Sequence, residues 1–299
     1  MIVASAVILV LSILITAVGG KLPFVPSWEM LYAWSGFRAP LPSDKELRMT
    51  VLDVGNADCI LLQNGEHAAL IDAGTNRDER DIITALRTYG IERLDLVVAT
   101  HPDADHIGAM DLVLHEFEID VFLMPPIPKQ NIVDTHTYRE LTEALSKSGV
   151  TATVAGYGTS TYPIGDATLK TLAVRGDAAD DNESSLICRV TFGEHAMLFM
   201  GDAGTGTERL LLNQNLPLKS DVLKVGHHGS KFSSSPYFIE AVAPQYAVIT
   251  CGFNNPFGHP HVETLQTLEA AGATVYRSDL NGDITIVSDG KKLRVECEQ

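Results

Sequence analysis

The first eighteen positions, Met1 to Val18, carry no charged side chain and are almost wholly apolar. As a helix this run would rise about 27 Å at about 1.5 Å per residue, close to the thickness of a hydrocarbon core. The pattern predicts a signal anchor or signal peptide over residues 1–20, inserted in a membrane through residues 1–18. Residues 21–47 then mix Pro with Trp28, Tyr32, Trp34 and Phe37, side chains suited to a membrane–water interface or to a linker packed on a domain. No Lys or Arg precedes the apolar run, while Lys21, Arg38, Lys45 and Arg48 follow it. The positive-inside rule alone would hold the remainder in the cytoplasm.

From residue 48 to 299 the apolar positions settle into short runs that read as one domain. Runs at Met49–Val54, Cys59–Gln63 and Ala68–Ile71 are broken by Gly55-Asn56 and Asn64-Gly65, both turn dipeptides, and predict three antiparallel strands. Ile82, Ile83, Leu86 and Tyr89 share one face of a helix that starts near Asp78 and stops at Gly90. Strand and helix patterns then alternate through Leu94–Ala99, Ile107–Phe117, Val121–Met124 and Tyr138–Lys147. A second strand series follows at Ala152–Val154, Leu169–Val174, Ser185–Phe192 and His195–Met200, the last two forming a hairpin across Gly193-Glu194. Alternation resumes through Gly206–Asn213, Asp221–Val225, Pro236–Val242, Tyr246–Thr250 and Val262–Ala271, and three strands at Thr274–Arg277, Asp283–Val287 and Lys292–Cys297 close the chain. Strand runs at both ends, each followed by alternation, describe an α/β chain of two facing sheets with helices outside, a four-layer αββα sandwich.

Composition narrows the partners. With 38 acidic against 22 basic residues the formal charge is -16, which opposes a polyanion-coating protein because phosphates would meet a repulsive average field. Cys59, Cys188, Cys251 and Cys297 stand singly, without zinc-ribbon spacing, and read as packing residues, with a disulfide left open should the domain be exported.

Chemistry gathers where strands stop. Ala99-Thr100-His101-Pro102-Asp103-Ala104-Asp105-His106-Ile107-Gly108 places two histidines and two carboxylates in six positions directly after an apolar run. That density reads as a metal site; the alternative is a polar loop in which Asp105 caps a helix. Asp72-Ala73-Gly74, Asn182-Glu183-Ser184-Ser185, Gly201-Asp202 and Gly226-His227-His228 also end predicted strands, and loops at strand ends of a layered sheet converge. Lys231, in a loop with Ser233, Ser234 and Ser235, offers a cation and hydroxyls to a phosphate oxygen, or simply a solvated loop. His67, His115, His136 and His195 have no cluster around them and read as structural.

The order Asp, His-x-Asp-x-Asp-His, Gly-Asp, His resembles the metallo-β-lactamase superfamily. Within it, Leu52-Asp53-Val54-Gly55-Asn56-Ala57-Asp58, Thr100 to Gly108, Asp181 to Leu186, Leu223 to Ser230 and Gly258-His259-Pro260-His261 resemble the C-terminal domain of ComEC-type DNA-uptake competence proteins, over residues 48–297. The resemblance implies that Asp105, His106 and His227 hold one metal, with Asp202 bridging to a second held by His101 and Asp103, and with Asp72 behind the motif as the residue that orients it. His228 is the neighbour that would stand in for His227 or support it; His227 is preferred. Asp103 stands where the superfamily usually has a second motif histidine, and Asn182 or Ser184 where a third-motif histidine often stands. Carboxylates in place of imidazoles favour Mn²⁺ or Mg²⁺, and the expected cofactor is Mn²⁺ or Zn²⁺, one ion or two. Asp105 is expected to serve catalysis as well as binding, and His259 to give a proton to the leaving oxygen. Asp58 lies in the family-like opening turn, but Ala57 replaces the usual glycine and no role is assigned to it.

The implied function is metal-dependent hydrolysis of phosphodiester bonds by a nuclease linked to DNA uptake, acting on strand fed to it by a membrane channel. The alternatives are a phosphodiesterase on cell-surface polymers or small phosphoesters, and a binding domain without catalysis. The expected location is membrane-anchored or secreted, with the catalytic domain outside the cell. The sequence carries no signal for an oligomeric state.

Overall fold

The computed structural model describes residues 39–126, 135–155, 160–173, 180–214 and 216–298, together with Leu11, Ser12, Ile15 and Ser35. The expected membrane segment at 1–20 and most of the aromatic linker lie outside the described residues. Among the described residues no helix is long and apolar enough to cross a membrane.

The chain divides into two compact units, residues 1–41 with 84–91, and residues 42–83 with 92–299. In the first, the Ala39 N–H donates to the Thr88 carbonyl, and Gly90 takes the left-handed conformation that ends a helix.

The second unit carries two sheets. Their strands are β1 (Leu47–Val51), β2 (Cys59–Asn64), β3 (His67–Ala73), β4 (Arg93–Val98), β5 (Glu118–Met124), β6 (Ala152–Val154), β7 (Thr161–Ile164), β8 (Ala167–Ala173), β9 (Ile187–Phe192), β10 (His195–Phe199), β11 (Val222–Lys224), β12 (Tyr246–Ile249), β13 (Thr274–Arg277), β14 (Ile284–Ser288) and β15 (Leu293–Cys297). One sheet runs β15-β14-β1-β2-β3-β4-β5-β6 and the other β13-β12-β11-β10-β9-β8-β7. The turn dipeptides give β1, β2 and β3 their antiparallel pairing, and β1 also pairs with β14, Thr50 opposite Thr285. β3 to β6 run parallel, as do β10 to β13.

The facing sheet surfaces bury Met49, Val51, Leu62, Ile71 and Val98 against residues that include Leu169, Val190, Met197, Phe199 and Val248. On its other face the second sheet packs Leu198, Leu223, Ala247 and Ile249 against Leu211, Phe238, Ile239, Val242 and Leu268 of the helices Thr205–Asn213, Pro236–Val242 and Val262–Ala270. The helix Met110–Glu116 packs on β3 with Met110, Val113 and Leu114 buried. β2 and β11 are buried along their whole length, with Cys59 to Leu62 and Val222-Leu223 supplying apolar side chains to both faces. The sandwich is thus the mixed α/β arrangement expected.

Two elements differ from the sequence pattern. The helix expected over Ile107–Phe117 is two pieces, Ala104–Ile107 and Met110–Glu116. The Gly108 and Ala109 N–H groups donate to the Gly74 and Ala73 carbonyls at the end of β3, so they are unavailable to a continuous helix. A Cβ on Gly108 would lie 2.3 Å from the Thr75 backbone, which explains the glycine. β7 was not legible because it contains Pro163; as the sheet's edge strand it tolerates the missing donor.

The helix Thr205–Asn213 begins at Gly204 with no side-chain cap of its own. Instead the Glu183 carboxylate accepts the Gly206 and Thr207 N–H groups at 3.0 and 2.7 Å and the Thr207 hydroxyl at 2.6 Å. Glu183→Ala is expected to cost about 1 kcal/mol, as loss of a cap does. In calorimetry that is a fall in Tm of roughly 2–4 °C for a domain of this size.

Candidate metal centre

The strand ends do converge. Asp72, the next-to-last residue of β3 and at φ 59°, accepts the Thr100 N–H at 2.8 Å and the Thr100 hydroxyl at 2.7 Å, tying β3 to the loop that follows β4. The same carboxylate lies 2.8 Å from His106 Nδ1. That contact places the ring hydrogen on Nδ1 and turns Nε2 towards Asp202, whose Oδ1 is 3.3 Å away.

A mirror arrangement holds His228. Its Nδ1 donates to the Thr250 carbonyl at 2.9 Å, leaving Nε2 3.5 Å from both Asp105 and Asp202. Thr250 in turn gives its hydroxyl to Asp58 at 2.5 Å, and Asp58 pairs with the Lys224 ammonium at 2.7 Å. Ligand atoms of Asp105, His106, Asp202 and His228 all lie within 4.8 Å of one another.

The backbone sets the two adjacent histidines apart. His227 and His228 are both left-handed, at φ 50° and 51°, a conformation that costs a side-chain-bearing residue on the order of 1–3 kcal/mol. The turn drives His228 inwards, where it is buried, and leaves the His227 side chain 29% exposed with its Nε2 3.8 Å from Asp202. The flanking glycines fit the same crowding: a Cβ on Gly226 would meet the Ala203 carbonyl at 2.7 Å, and one on Gly229 would meet Pro260 at 2.6 Å.

His101 Nε2, His106 Nε2, His228 Nε2 and Asp202 Oδ1 are buried without a hydrogen-bond partner. Orphaned buried polar atoms are rare, and those of His106, His228 and Asp202 meet beside Asp105 as donors of the type a divalent cation takes. The residues present therefore fit the metal that the sequence motifs imply.

Electrostatics supports that fit. Burial disfavours the charged form of His106, but the Asp202 and Asp72 carboxylates outweigh it and raise its pKa well above the usual histidine value. His228 is raised likewise against burial, by Asp202 and Asp105. Burial works against ionised Asp202 and Asp105 too, yet His228 and His106 hold Asp202 well below the ordinary value and Asp105 at about 2. The carboxylates thus favour protonated imidazoles at the place where a cation would sit. Metal uptake is expected to release protons and to strengthen as pH rises, because raised histidines must deprotonate to ligate. Titration calorimetry in buffers of different ionisation enthalpy reads the proton count; no proton release would contradict these charge states.

The other expected residues are placed as follows. His101 and Asp103 form a pair, Nε2 to Oδ2 3.7 Å, with the His101 ring 4.0 Å from that of His106. Asp202 donates its N–H to the Ser185 hydroxyl, whereas the neighbouring Ser184 hydroxyl turns to the Asp181 carbonyl and away from any ligating contact. Lys231 is exposed, its ammonium 5.5 Å over the Phe232 ring, and among the described residues it makes no ion pair with the cluster. His259 reaches the site edge, its ring 5.5 Å from His227 and 6.2 Å from His228. Burial, then the neighbouring His228 and His227, push its pKa down to about 4, so the free ring is neutral at pH 7. His67, His136 and His195 contact Asp95, Glu140 and Ser288.

Sequence reasoning passed over Lys224 and Thr250 and gave Asp58 no role. The one signal was Lys224 itself, a charged residue in the apolar run Val222-Leu223-Lys224-Val225, since a lysine buried in a strand needs a carboxylate.

A two-sheet sandwich with strand-end histidines and carboxylates gathered into one cation-type group has the architecture of a metal-dependent hydrolase. The metallo-beta-lactamase superfamily model matches residues 52–252, and the chain belongs to that superfamily. It is 33% identical over 207 residues to ComE operon protein 3 of Bacillus subtilis (strain 168), covering 69% of this chain and 26% of that protein. It is 30% identical over 257 residues to competence protein ComA of Neisseria gonorrhoeae, covering 85% of this chain and 34% of that protein. These similarities agree with the ComEC-type motifs, and the chain spans about a third or less of either relative's length. Among solved structures, CmlA, a diiron beta-hydroxylase from Streptomyces venezuelae, shares the fold at TM-score 0.53 and 17% identity, over 87% of this chain and 55% of that one.

Proposed function

We propose that the chain hydrolyses phosphodiester bonds with a divalent cation, Mn²⁺ or Zn²⁺, and that its substrate is DNA strand handled during uptake, delivered by a membrane channel. The observation that carries this reading is the convergence of buried, unpartnered ligand atoms on His106, His228 and Asp202, with His101 beside them. Similarity to relatives named for competence supports the choice of substrate.

Asp105, His106, Asp202 and His228 would hold the cation, and His101 with Asp103 would serve a second. A cation bound there supplies Lewis acidity towards a phosphoryl oxygen and eases deprotonation of water. The chain's own residues do the rest. Asp72 and Thr250 fix the two imidazole rings, so that their Nε2 atoms face one point. Asp105, ionised throughout the neutral range, orients a water by accepting its hydrogen bond. His259 keeps a buried Nδ1 without a partner and offers a hydrogen bond at the site edge, where a leaving oxygen would lie. Residues 1–18 would anchor the domain outside the cell.

Elemental analysis of the purified chain should find Mn or Zn, and hydrolysis of bis-p-nitrophenyl phosphate and of linear DNA should depend on added Mn²⁺. Absence of both metal and hydrolysis overturns the reading. Cleavage of the small probe with DNA left intact moves the substrate to small phosphoesters. Protease added to intact cells should digest the domain; protection would place it in the cytoplasm.

A further inference from the structure

We infer that Phe253 and Phe257 form a stacking subsite for unpaired nucleobases beside His259, so that the domain grips strand through its bases more than through its phosphates. The inference rests on the reading of the domain as a phosphodiester hydrolase acting on nucleic acid.

The loop between β12 and the helix Val262–Ala270 leaves Phe253 83% and Phe257 63% exposed. Folding gains little from a ring left in water, and two on one loop mark an interaction site. The loop is braced. The Asn255 side chain donates to the Gly252 and His259 carbonyls at 2.9 and 2.6 Å and accepts the His259 N–H at 3.0 Å. The rings are therefore presented on a fixed frame.

That frame connects to the metal centre. Phe257 stacks on His259 at 5.6 Å and 22° between planes, and His259 stacks with His228 at 6.2 Å and 27°. Near-parallel rings thus lead from the cation-type group to solvent. Beside them Phe253, Gly258, His259, Arg277 and Leu280 line a cavity of about 330 Å³. Its guanidinium is already engaged by Asp279 at 2.6 Å. With Phe253 and Leu280 at its wall, the Asp279 carboxylate among its lining and its cation spoken for, the cavity suits a planar heterocycle better than a phosphate.

Charge makes the same choice. Most nucleic-acid affinity comes from neutralising phosphates, which a chain at -16 does poorly. Stacking on aromatic faces is independent of charge and tolerant of sequence, because every base has a face to offer. Bases in a duplex are already stacked on each other, so the occupant is an unpaired strand.

The test uses the full chain and two 5′-labelled 12-nucleotide strands, one of thymidine and one wholly abasic. Fluorescence anisotropy in EDTA gives affinity, and cleavage in Mn²⁺ gives kcat/KM. The wild type should bind the thymidine strand at least about tenfold tighter than the abasic one. Phe253→Ala and Phe257→Ala should each remove most of that advantage and leave abasic binding unchanged, and Phe257→Trp should keep it. Equal affinity for the two strands, or thymidine affinity unaffected by both alanines, overturns the subsite; the second result would mean that the rings face a protein partner. Base-dependent binding with no cleavage sinks the hydrolase reading and leaves the subsite standing. Equal cleavage of both strands does the reverse.

Discussion

Alanine at His228 is expected to lower divalent-cation affinity and hydrolysis by at least about 100-fold, whereas alanine at His227 should lower either by less than about tenfold. The loss of a group that merely orients a ligand costs 10–100-fold, and loss of a ligand should cost no less. The contrast follows from where the two rings point. His228 is buried, tied through Nδ1 to Thr250, with Nε2 3.5 Å from Asp105 and Asp202. His227 approaches only Asp202, at 3.8 Å, from a half-buried position. Metal content of each purified variant, with kcat/KM on bis-p-nitrophenyl phosphate, separates them. A His227 variant that loses its metal while the His228 variant keeps it would restore His227 as the ligand.

Lys224→Met should be the most destabilising single change near the site. The ammonium is fully buried, 2.7 Å from Asp58 and 3.0 Å from the Val225 carbonyl. Removing one partner of a buried ion pair strands the other charge and costs about 3–5 kcal/mol. At roughly 2–4 °C per kcal/mol that is a Tm lower by about 6–20 °C. Lys224→Met with Asp58→Asn should recover part of the loss, since no bare charge remains. The pair also sets an acid limit. Burial opposes ionised Asp58, but Lys224 wins and holds its pKa below the ordinary 3.8. A depressed carboxylate contributes its stability above the ordinary value and loses it as pH falls through the lower one. Acid unfolding below about pH 4 should therefore be sharper in the wild type than in the double variant, as circular dichroism would read.

What could be read from the chain alone follows from how local each signal is. The cluster from His101 to His106 packs four ligand residues into six positions, and no tertiary information is needed to see it. Gly226-His227-His228-Gly229 is nearly symmetric as text, and its histidines are set differently by two successive left-handed residues that no propensity rule places. Ser185 and not Ser184 supports Asp202 for the same kind of reason, a single-residue phase in a short 3₁₀ turn. Lys224 and Asp58 meet only after the sheets face each other. The break at Gly108 arises from carbonyls at the end of β3, far off in sequence, and Pro163 is compatible with a strand only once that strand is known to lie at an edge.

The pairing of β1 with β14 has a consequence for how the domain comes into being. Thr50 and Thr285, whose hydroxyls meet at 3.3 Å across that pair, are 235 residues apart. A ribosome adding about 5–20 residues per second takes on the order of tens of seconds to supply the second after the first. Throughout that interval β1 shows one unpaired, mostly buried-type edge, and the half-made sheet is a template for intermolecular pairing. The first strand of the domain is thus completed by its next-to-last, and the nascent chain stays dependent on shielding until its closing hairpin leaves the tunnel.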